Sequence, residues 1–226
     1  MNNNWYTNKI ARWTMQYTID CIGSVKSSAP GSFSKLAEKI DFDEVMEMAE
    51  WKEIIKNMFF PYDEEKDIFL QQEGYLDKLQ QKVSDIPAAE RPINQHWSWD
   101  RILRSCFIKQ ADVLQGLYFF DEEYDTETIR RNYDFYEPRT VHESSLSPSI
   151  YSIIASRTGR IDRAYELYLR TARLDIDDIN KEVKEGLHIT SMAGTWLSIV
   201  EGFGGLKVRQ QKLVLNPLLP GAWEMY

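Results

Sequence analysis

The part of the sequence best suited to chemistry is segment 188–196, where a histidine is followed within one helical turn by two hydroxyl residues. A glycine precedes it and apolar residues of helical period follow, which predicts a loop leading into a helix N-terminus. Such a terminus offers unpaired backbone N–H groups and can hold an anion. His188, Thr190 and Ser191 would add side-chain donors. The alternative is structural: Thr190 or Ser191 only caps the helix, and His188 is a hydrogen-bonded loop residue.

Two further segments place polar side chains near predicted helix starts. Lys109 and Gln110 stand at the beginning of a predicted helix over 110–120, where they could reach a phosphate or a sugar hydroxyl, although a lysine there commonly points to solvent. The loop before Ser147 and Pro148 is the second segment, and capping would explain its serines without any function. Its polar residues are His142, Glu143, Ser144 and Ser145.

Segment 91–100 combines two tryptophans, a histidine, two amides and a carboxylate. Flat aromatic faces and planar polar groups suit sugars, so this composition is compatible with a carbohydrate site. A loop pinned in place by its tryptophans explains it equally well.

Composition excludes several classes of function. The chain has 226 residues, of which 43% are hydrophobic, and a net charge of −8, so it can bury a core but offers no basic surface for nucleic acid. Its three histidines form no metal-ligand spacing, which argues against a metal site. No signal pattern and no apolar run of about 18 residues occurs, so we expect no membrane segment. Cys21 and Cys106 suit buried thiols in a reducing compartment, and a cytoplasmic location is predicted.

Hydrophobic periodicity predicts an all-α chain with a short β-like tail. The expected helices cover 5–25, 34–40, 43–58, 100–105, 110–120, 126–136, 147–157, 161–174 and 190–202. Residues 207–219 are β-like and end in prolines. No repeat of 33 to 47 residues is present, which favours a helical toroid or irregular bundle, with a helical repeat scaffold as the structural rival.

Taken together, five segments resemble the maltose phosphorylases, inverting disaccharide phosphorylases of glycoside hydrolase family 65. These are 3–8, 91–100, 108–113, 140–147 and 186–196, and they occur in the family's order. The resemblance implies a portion of an (α/α)6 toroid over residues 1–206, with 207–226 starting a C-terminal β-domain or linker. It also implies a cytoplasmic, usually dimeric enzyme with inorganic phosphate as co-substrate and neither organic cofactor nor metal.

Residue by residue, the resemblance assigns phosphate binding to His188, Thr190 and Ser191, and sugar binding to Lys109 and Gln110. The loop residues His142, Ser144 and Ser145 match a further active-site loop of unassigned role, in which Glu143 stands where many relatives have aspartate.

The resemblance also places the family's general acid, a glutamate, in a segment shortly before the Asn3 stretch. We therefore expect this acid upstream of Met1, no catalytic acid within the chain, and an inactive isolated chain. Helix faces left uncovered in a partial toroid would favour self-association.

Two rival functions remain open at this stage. One is a non-catalytic helical scaffold or sugar-binding fragment, and the other is a hydrolase on the same toroid, which would require a second carboxylate where this chain has His188, Thr190 and Ser191. The sequence also leaves the disaccharide open among maltose, kojibiose, nigerose and trehalose.

Overall fold

The structure is a computed structural model and describes residues 2–223. It is mostly helical, as predicted. The helices are α1 (Trp5–Ser28), α2 (Pro30–Lys39), α3 (Glu44–Asn57), α4 (Ile93–His96), α5 (Trp99–Arg104), α6 (Val113–Phe119), α7 (Thr126–Tyr136), α8 (Ser147–Arg157), α9 (Ile161–Ala172) and α10 (Ile189–Leu197). A π-helical turn, Ser198–Phe203, continues α10.

Two predictions fall partly on residues beyond this range. Met1, before which the general acid is expected, lies outside the described residues, and so do residues 224–226 of the predicted C-terminal segment. The position of the general acid therefore stays a prediction.

Within residues 2–223, four short strands form two two-stranded sheets. They are β1 (Tyr62–Asp63), β2 (Ile68–Phe69), β3 (Lys207–Arg209) and β4 (Lys212–Val214). Strands β3 and β4 pair in antiparallel register, with Val208 opposite Leu213. This hairpin lies in the predicted β-like tail, whereas the rest of segment 207–219 forms no strand.

The chain divides into two compact units, one of residues 2–62 with 70–73 and the other of 63–69 with the residues from 74 onward. The domain boundary predicted at residue 207 stays a prediction. Within the described residues, no helix is both long and apolar enough to cross a membrane. Cys21 and Cys106 are both free thiols, and only Cys106 is fully buried.

In the first unit, α1 begins where Asn4 accepts a hydrogen bond from the backbone of Thr7 at 2.8 Å. The predicted end of this helix at residue 25 is wrong, because the helix continues to Ser28. Serine hydroxyls in this last part donate to carbonyl oxygens one turn earlier, for example from Ser28 to Ser24 at 2.9 Å. These bonds keep polar side chains within helical geometry.

In the second unit, α8 is the central helix, with every residue from Ser147 to Ser156 buried. It packs against α6, α7, α9, α10 and the π turn. Its buried hydroxyls are hydrogen-bonded, as buried polar groups must be: Ser152 donates to the Ala164 carbonyl at 2.8 Å and Ser156 to the Gly202 carbonyl at 2.9 Å. Helix α8 therefore fixes its neighbours by hydrogen bonds as well as by packing.

The predicted bounds of α7 and α8 agree with the structure. The helix expected from Gln110 instead begins at Val113, so Lys109 and Gln110 lie in the preceding loop, not at a helix start. The left-handed backbone of Asp112, with φ of 46°, separates this loop from the helix.

Helix α10 presents an apolar stripe to solvent. Ile189, Met192 and Trp196 are 76%, 50% and 62% exposed, whereas Phe203 in the π turn is fully buried. The helical apolar period recognised in the sequence thus marks an uncovered face over most of its length. An apolar patch of this kind favours association.

We expect the 226-residue chain to self-associate at micromolar concentration, because association would cover the α10 stripe. Light scattering would measure the mass. Trp196→Ser should reduce the association, whereas Trp99→Ser, which removes an exposed indole elsewhere, should not. A strictly monomeric wild-type chain would contradict the expectation.

Candidate functional site

Helix α10 begins directly after His188, which is its N-cap residue. No described side chain caps the first turn, and the backbone amide of Ser191 donates to the His188 carbonyl at 2.9 Å. The amides of Ile189 and Thr190 have no partner among residues 2–223. Neither Thr190 nor Ser191 is the N-cap residue, so that half of the structural alternative is wrong, whereas its other half, a hydrogen-bonded His188, agrees with the structure. The uncapped N–H groups are the feature on which the predicted anion site depends.

An aspartate from the preceding loop fixes the ring of His188. The imidazole Nδ1 lies 2.6 Å from Asp175 Oδ1, and the His188 backbone N–H donates to Oδ2 at 2.7 Å. Burial by itself would raise the pKa of Asp175, but the side-chain and backbone hydrogen bonds from His188 outweigh it and hold the pKa below its usual value. Because a carboxylate only accepts, Nδ1 carries hydrogen and Nε2 is left for another partner. The carboxylate of Glu182 lies 3.7 Å from Nε2.

The two hydroxyl residues after His188 differ in their surroundings. Thr190 is exposed, and its Oγ1 lies 3.0 Å from Ser145 Oγ, which joins the α10 N-terminus to the loop before α8. Ser191 is buried and donates to the carbonyl of Thr171, at the end of α9, at 2.8 Å. Thr190 is therefore placed to meet a ligand, whereas the Ser191 hydroxyl holds two helices together. Phosphate binding by Ser191 stays a prediction.

A third loop joins the same place. Ser144 donates from its Oγ to Gln110 Oε1 at 3.0 Å, and Lys109 and Gln110 are both exposed. Three sequence-distant segments, 109–110, 144–145 and 188–190, are thus linked by side-chain hydrogen bonds. A small polar ligand at this point would meet hydroxyl, amide and backbone N–H groups together.

Glu143 has a structural role in this arrangement. Its Oε1 accepts from Arg91 Nε at 2.8 Å and its Oε2 from the Ile93 backbone N–H at 2.7 Å, with 5% of the residue exposed. Arg91 also donates to the Val141 carbonyl at 2.7 Å. Both carboxylate oxygens are engaged, so Glu143 braces the 140–145 loop against the segment that follows Arg91.

His142 anchors the same loop from inside. It is buried, packs edge-on against Tyr151 at 4.7 Å between ring centres, and has a left-handed backbone with φ of 54°. Its carbonyl accepts two bonds from Arg170, at 2.7 and 3.0 Å. Burial, reinforced by Arg163, Arg170 and Arg91, holds the pKa of His142 well below its ordinary value. The imidazole is therefore neutral at pH 7.

We expect His142 to make the fold less stable in mild acid. Above about pH 6.5 the imidazole is neutral in both folded and unfolded chains, so it contributes no pH dependence. Below that pH the unfolded chain binds a proton that the folded chain does not, and the unfolding free energy falls by up to about 1.4 kcal/mol per pH unit.

Denaturant unfolding between about pH 7 and pH 5 measures this slope. His142→Gln should flatten it, whereas the exposed His96 provides a matched control, and His96→Asn should leave it unchanged. Equal slopes in wild type and His142→Gln would contradict the assignment.

In the tryptophan-rich segment 91–100, the contacts of Trp97 mainly hold the loop in place. Trp97 donates from its indole N–H to Glu90 Oε2 at 2.6 Å, and the Arg101 guanidinium lies 3.7 Å from its ring centre. Trp99 is exposed. Since Arg101 covers one face of Trp97, the structure favours the pinned-loop interpretation for that ring. A sugar-binding role of the segment stays a prediction.

Among residues 2–223, no group of three or more His, Cys, Asp or Glu side chains is arranged to hold a metal ion.

Comparison with known proteins assigns the chain to a family. Residues 1–197 match the model of the glycosyl hydrolase family 65 central catalytic domain. The chain belongs to family 65. Its relatives include the maltose phosphorylase of Bacillus subtilis (strain 168), 50% identical over 226 residues, and an α,α-trehalose phosphorylase of Thermoanaerobacter brockii, 40% identical over 225 residues. Each alignment covers all of this chain and 29% of the relative.

A solved relative shows the same fold. A structure provisionally described as a kojibiose phosphorylase from the human microbiome superposes with a TM-score of 0.88 at 40% identity. It covers 98% of this chain and 29% of the solved one. The chain thus spans less than a third of the length of these relatives.

Sequence reasoning missed two residues that organise the candidate site. Asp175 orients His188 from 13 positions away, and Arg170 holds the His142 carbonyl from 28 positions away. Neither pair has a recognisable spacing, because each is created by chain reversal between α9 and its neighbours. The acidic run 175–178 before the histidine was the available signal for Asp175.

Proposed function

We propose that this chain supplies the phosphate- and glucose-binding side of an inverting disaccharide phosphorylase. The observation that carries the proposal is the convergence of three loops at the uncapped N-terminus of α10, where Asp175 holds His188. Family 65 membership supports the reaction class, since the relatives above are named as phosphorylases. The similarity to a solved relative supports a further proposal, that the helices form part of an (α/α)6 toroid.

We propose maltose as the disaccharide. The B. subtilis maltose phosphorylase is 50% identical to this chain, compared with 40% for the T. brockii trehalose phosphorylase and 37% for a kojibiose phosphorylase of Caldanaerobacter subterraneus. Specificity among these sugars depends on residues around the leaving glucose, and the higher identity to the maltose enzyme supports maltose.

In the proposed reaction, a phosphate oxygen attacks the anomeric carbon from the face opposite the glycosidic bond. The bond to the leaving glucose breaks, its oxygen takes a proton from a carboxylic acid, and the configuration inverts to give β-glucose 1-phosphate. The α10 amides and the Thr190 hydroxyl would donate to the phosphate, and Nε2 of His188 would donate in the form of the ring in which both nitrogens carry hydrogen. Asp175 would fix the imidazole so that its hydrogen-bonding direction is set before phosphate arrives.

The proposal needs a general acid, and Glu143 is poorly placed for it because both of its oxygens already accept hydrogen bonds. The acid stays predicted upstream of Met1. We therefore expect no β-glucose 1-phosphate from the 226-residue chain with maltose and phosphate. Its appearance would contradict this, and Glu143→Gln would then be the first variant to assay. The lack of a cofactor or metal requirement and the cytoplasmic location also stay predictions.

Phosphate-dependent stability tests the binding part of the proposal directly. A ligand that binds only the folded chain raises its unfolding free energy, by about 2.7 kcal/mol at a concentration about 100 times its Kd. At constant ionic strength, we expect the unfolding temperature of the wild-type chain to rise with phosphate concentration. A hydrolase or a non-catalytic scaffold gives no such phosphate-specific rise.

Variants assign the effect to His188. His188→Asn should weaken phosphate binding about tenfold or more, because a hydrogen bond to a charged group contributes roughly 1.5 to 3 kcal/mol. Asp175→Asn should weaken it less, since the imidazole remains but loses its fixed orientation. His96→Asn, at an exposed histidine, should behave as wild type. Unchanged phosphate binding in His188→Asn would refute the assigned site.

A further inference from the structure

A second polar cavity lies behind the 140–145 loop and is not lined by the residues assigned to phosphate above. It has a volume of about 250 Å³ and is lined by Ala88, Arg91, Pro92, Glu143, Arg170, Ile179, Asn180 and Lys181. Three of these residues are cations and one is a carboxylate, in a chain with a net charge of −8. A cationic cavity on an acidic protein is a local exception that favours an anionic ligand.

Within residues 2–223, the single carboxylate of this cavity forms no direct ion pair with Arg170. Glu143 pairs with Arg91 and the Ile93 amide, whereas Arg170 donates only to uncharged acceptors, the His142 carbonyl and Asn180 Oδ1. Lys181 is exposed and has no ion pair among residues 2–223. Positive charge therefore remains on two of the three cations.

A buried donor without a partner marks the same cavity. Asn180 is 5% exposed, and its Nδ2 has no hydrogen-bond partner among the described residues, while its Oδ1 accepts from Arg170 at 3.2 Å. A buried amide N–H without a hydrogen bond raises the free energy of the folded chain. A ligand oxygen would remove that penalty.

A neighbouring cavity shares the walls Arg91 and Arg170 and measures about 400 Å³. It is lined also by Lys82, Arg163 and His142, whose buried Nε2 has no partner among the described residues. Its carboxylates, Glu137 and Glu166, are each paired with Arg163. Both cavities that share Arg91 and Arg170 are therefore lined by polar and cationic side chains.

We propose that the cavity lined by Arg91, Arg170, Asn180 and Lys181 is a second site, which binds the phosphoryl group of a small phosphorylated metabolite or inorganic phosphate. A phosphoryl dianion has the several acceptor oxygens that two guanidinium groups, an ammonium group and an amide N–H can satisfy together. The site is independent of the proposed function. It adjoins the 140–145 loop, because Glu143 lines it and because Arg91 and Arg170 also hold the carbonyls of Val141 and His142.

Titration calorimetry on the full 226-residue chain tests the site, with inorganic phosphate and glucose 6-phosphate as the two probes. The chain carries His188→Asn, which weakens the site at α10. We expect one probe at least to bind with one-to-one stoichiometry. Tighter binding of glucose 6-phosphate assigns the source as a sugar phosphate, and equal or tighter binding of inorganic phosphate assigns the phosphoryl group alone.

Lys181→Met in the same background should weaken binding about tenfold, because it removes one charged partner from a solvent-exposed position where folding is unaffected. Lys184→Met is the matched control, since Lys184 is exposed on the same loop but does not line the cavity, and it should bind as its parent does. No binding of either probe, or equal weakening by Lys181→Met and Lys184→Met, overturns the proposal. Because every chain here carries His188→Asn, this failure is separate from a failure of the α10 site.

Discussion

Replacing Asp121 by alanine is expected to lower the unfolding free energy of the chain by about 3 to 5 kcal/mol. The Asp121 side chain is 8% exposed and is surrounded by three cations: Arg157 at 3.2 Å, Arg209 at 2.5 Å and the ammonium group of Lys207. Burial already lowers the pKa of Arg157, which shows how poorly its surroundings solvate a charge. Removing the carboxylate would leave Lys207 without an ion pair among the described residues, beside Arg157 and Arg209, which would keep their contacts with Glu201 and Glu122. The same change would release strand β3, which Lys207 and Arg209 tie to the end of α6.

Urea unfolding measures this effect, with a lower midpoint and an unchanged slope as the expected signature. The adjacent Glu122 provides the control, because it is 64% exposed at its side chain and pairs with Arg209 at 2.9 Å. Glu122→Ala should cost less than about 1 kcal/mol, as exposed ion pairs do. Similar losses of unfolding free energy for Asp121→Ala and Glu122→Ala would contradict the prediction that the buried Asp121 contributes more to stability than the exposed Glu122.

The second large effect is expected at Gly194, where alanine should destabilise the chain by about 1 to 3 kcal/mol. A Cβ at this position would lie 2.7 Å from both Cβ and Oγ of Ser149, and 3.4 Å from Thr171 Cγ2. Alanine is normally the better helix former by roughly 0.5 to 1 kcal/mol, but here the contact between α10 and α8 outweighs that gain. Moving α10 away from α8 would also stretch the link between Thr190 and Ser145, so phosphate protection should weaken.

The substitution Gly23→Ala in α1 is the control that measures helix propensity without a packing clash. A Cβ there meets nothing within 4 Å, so Gly23→Ala should stabilise the first unit by about 0.5 to 1 kcal/mol. In Gly194→Ala, the additional change Ser149→Gly should restore part of the stability by opening space. An increase in unfolding free energy on Gly194→Ala would contradict the prediction, because it would mean that α10 can move away from α8 without loss of stability.

Local signals in the sequence determined much of the secondary structure. Asp43 was predicted to begin a helix, and it does so by accepting from the Met46 amide at 2.9 Å. The bounds of α7 and α8 agree with the prediction because local signals mark them: Asp125 caps the start of α7, and Pro148 lies in the first turn of α8. The helix predicted over 161–174 is present as α9, and its apolar residues Ala164 and Leu167 are both buried.

Only the tertiary structure decided what the polar residues do. Glu143 and Lys109 were both candidate active-site residues in the sequence. In the structure, Glu143 forms an ion pair with Arg91, and Lys109 is exposed in the loop before α6. Ser191 bonds to the end of α9, and His188 depends on Asp175, 13 residues earlier. A helix is determined by neighbours within about four residues, so its pattern is visible in the sequence. A side chain's hydrogen-bond partner depends on which distant loops the packed helices bring together, and no spacing along the chain encodes that.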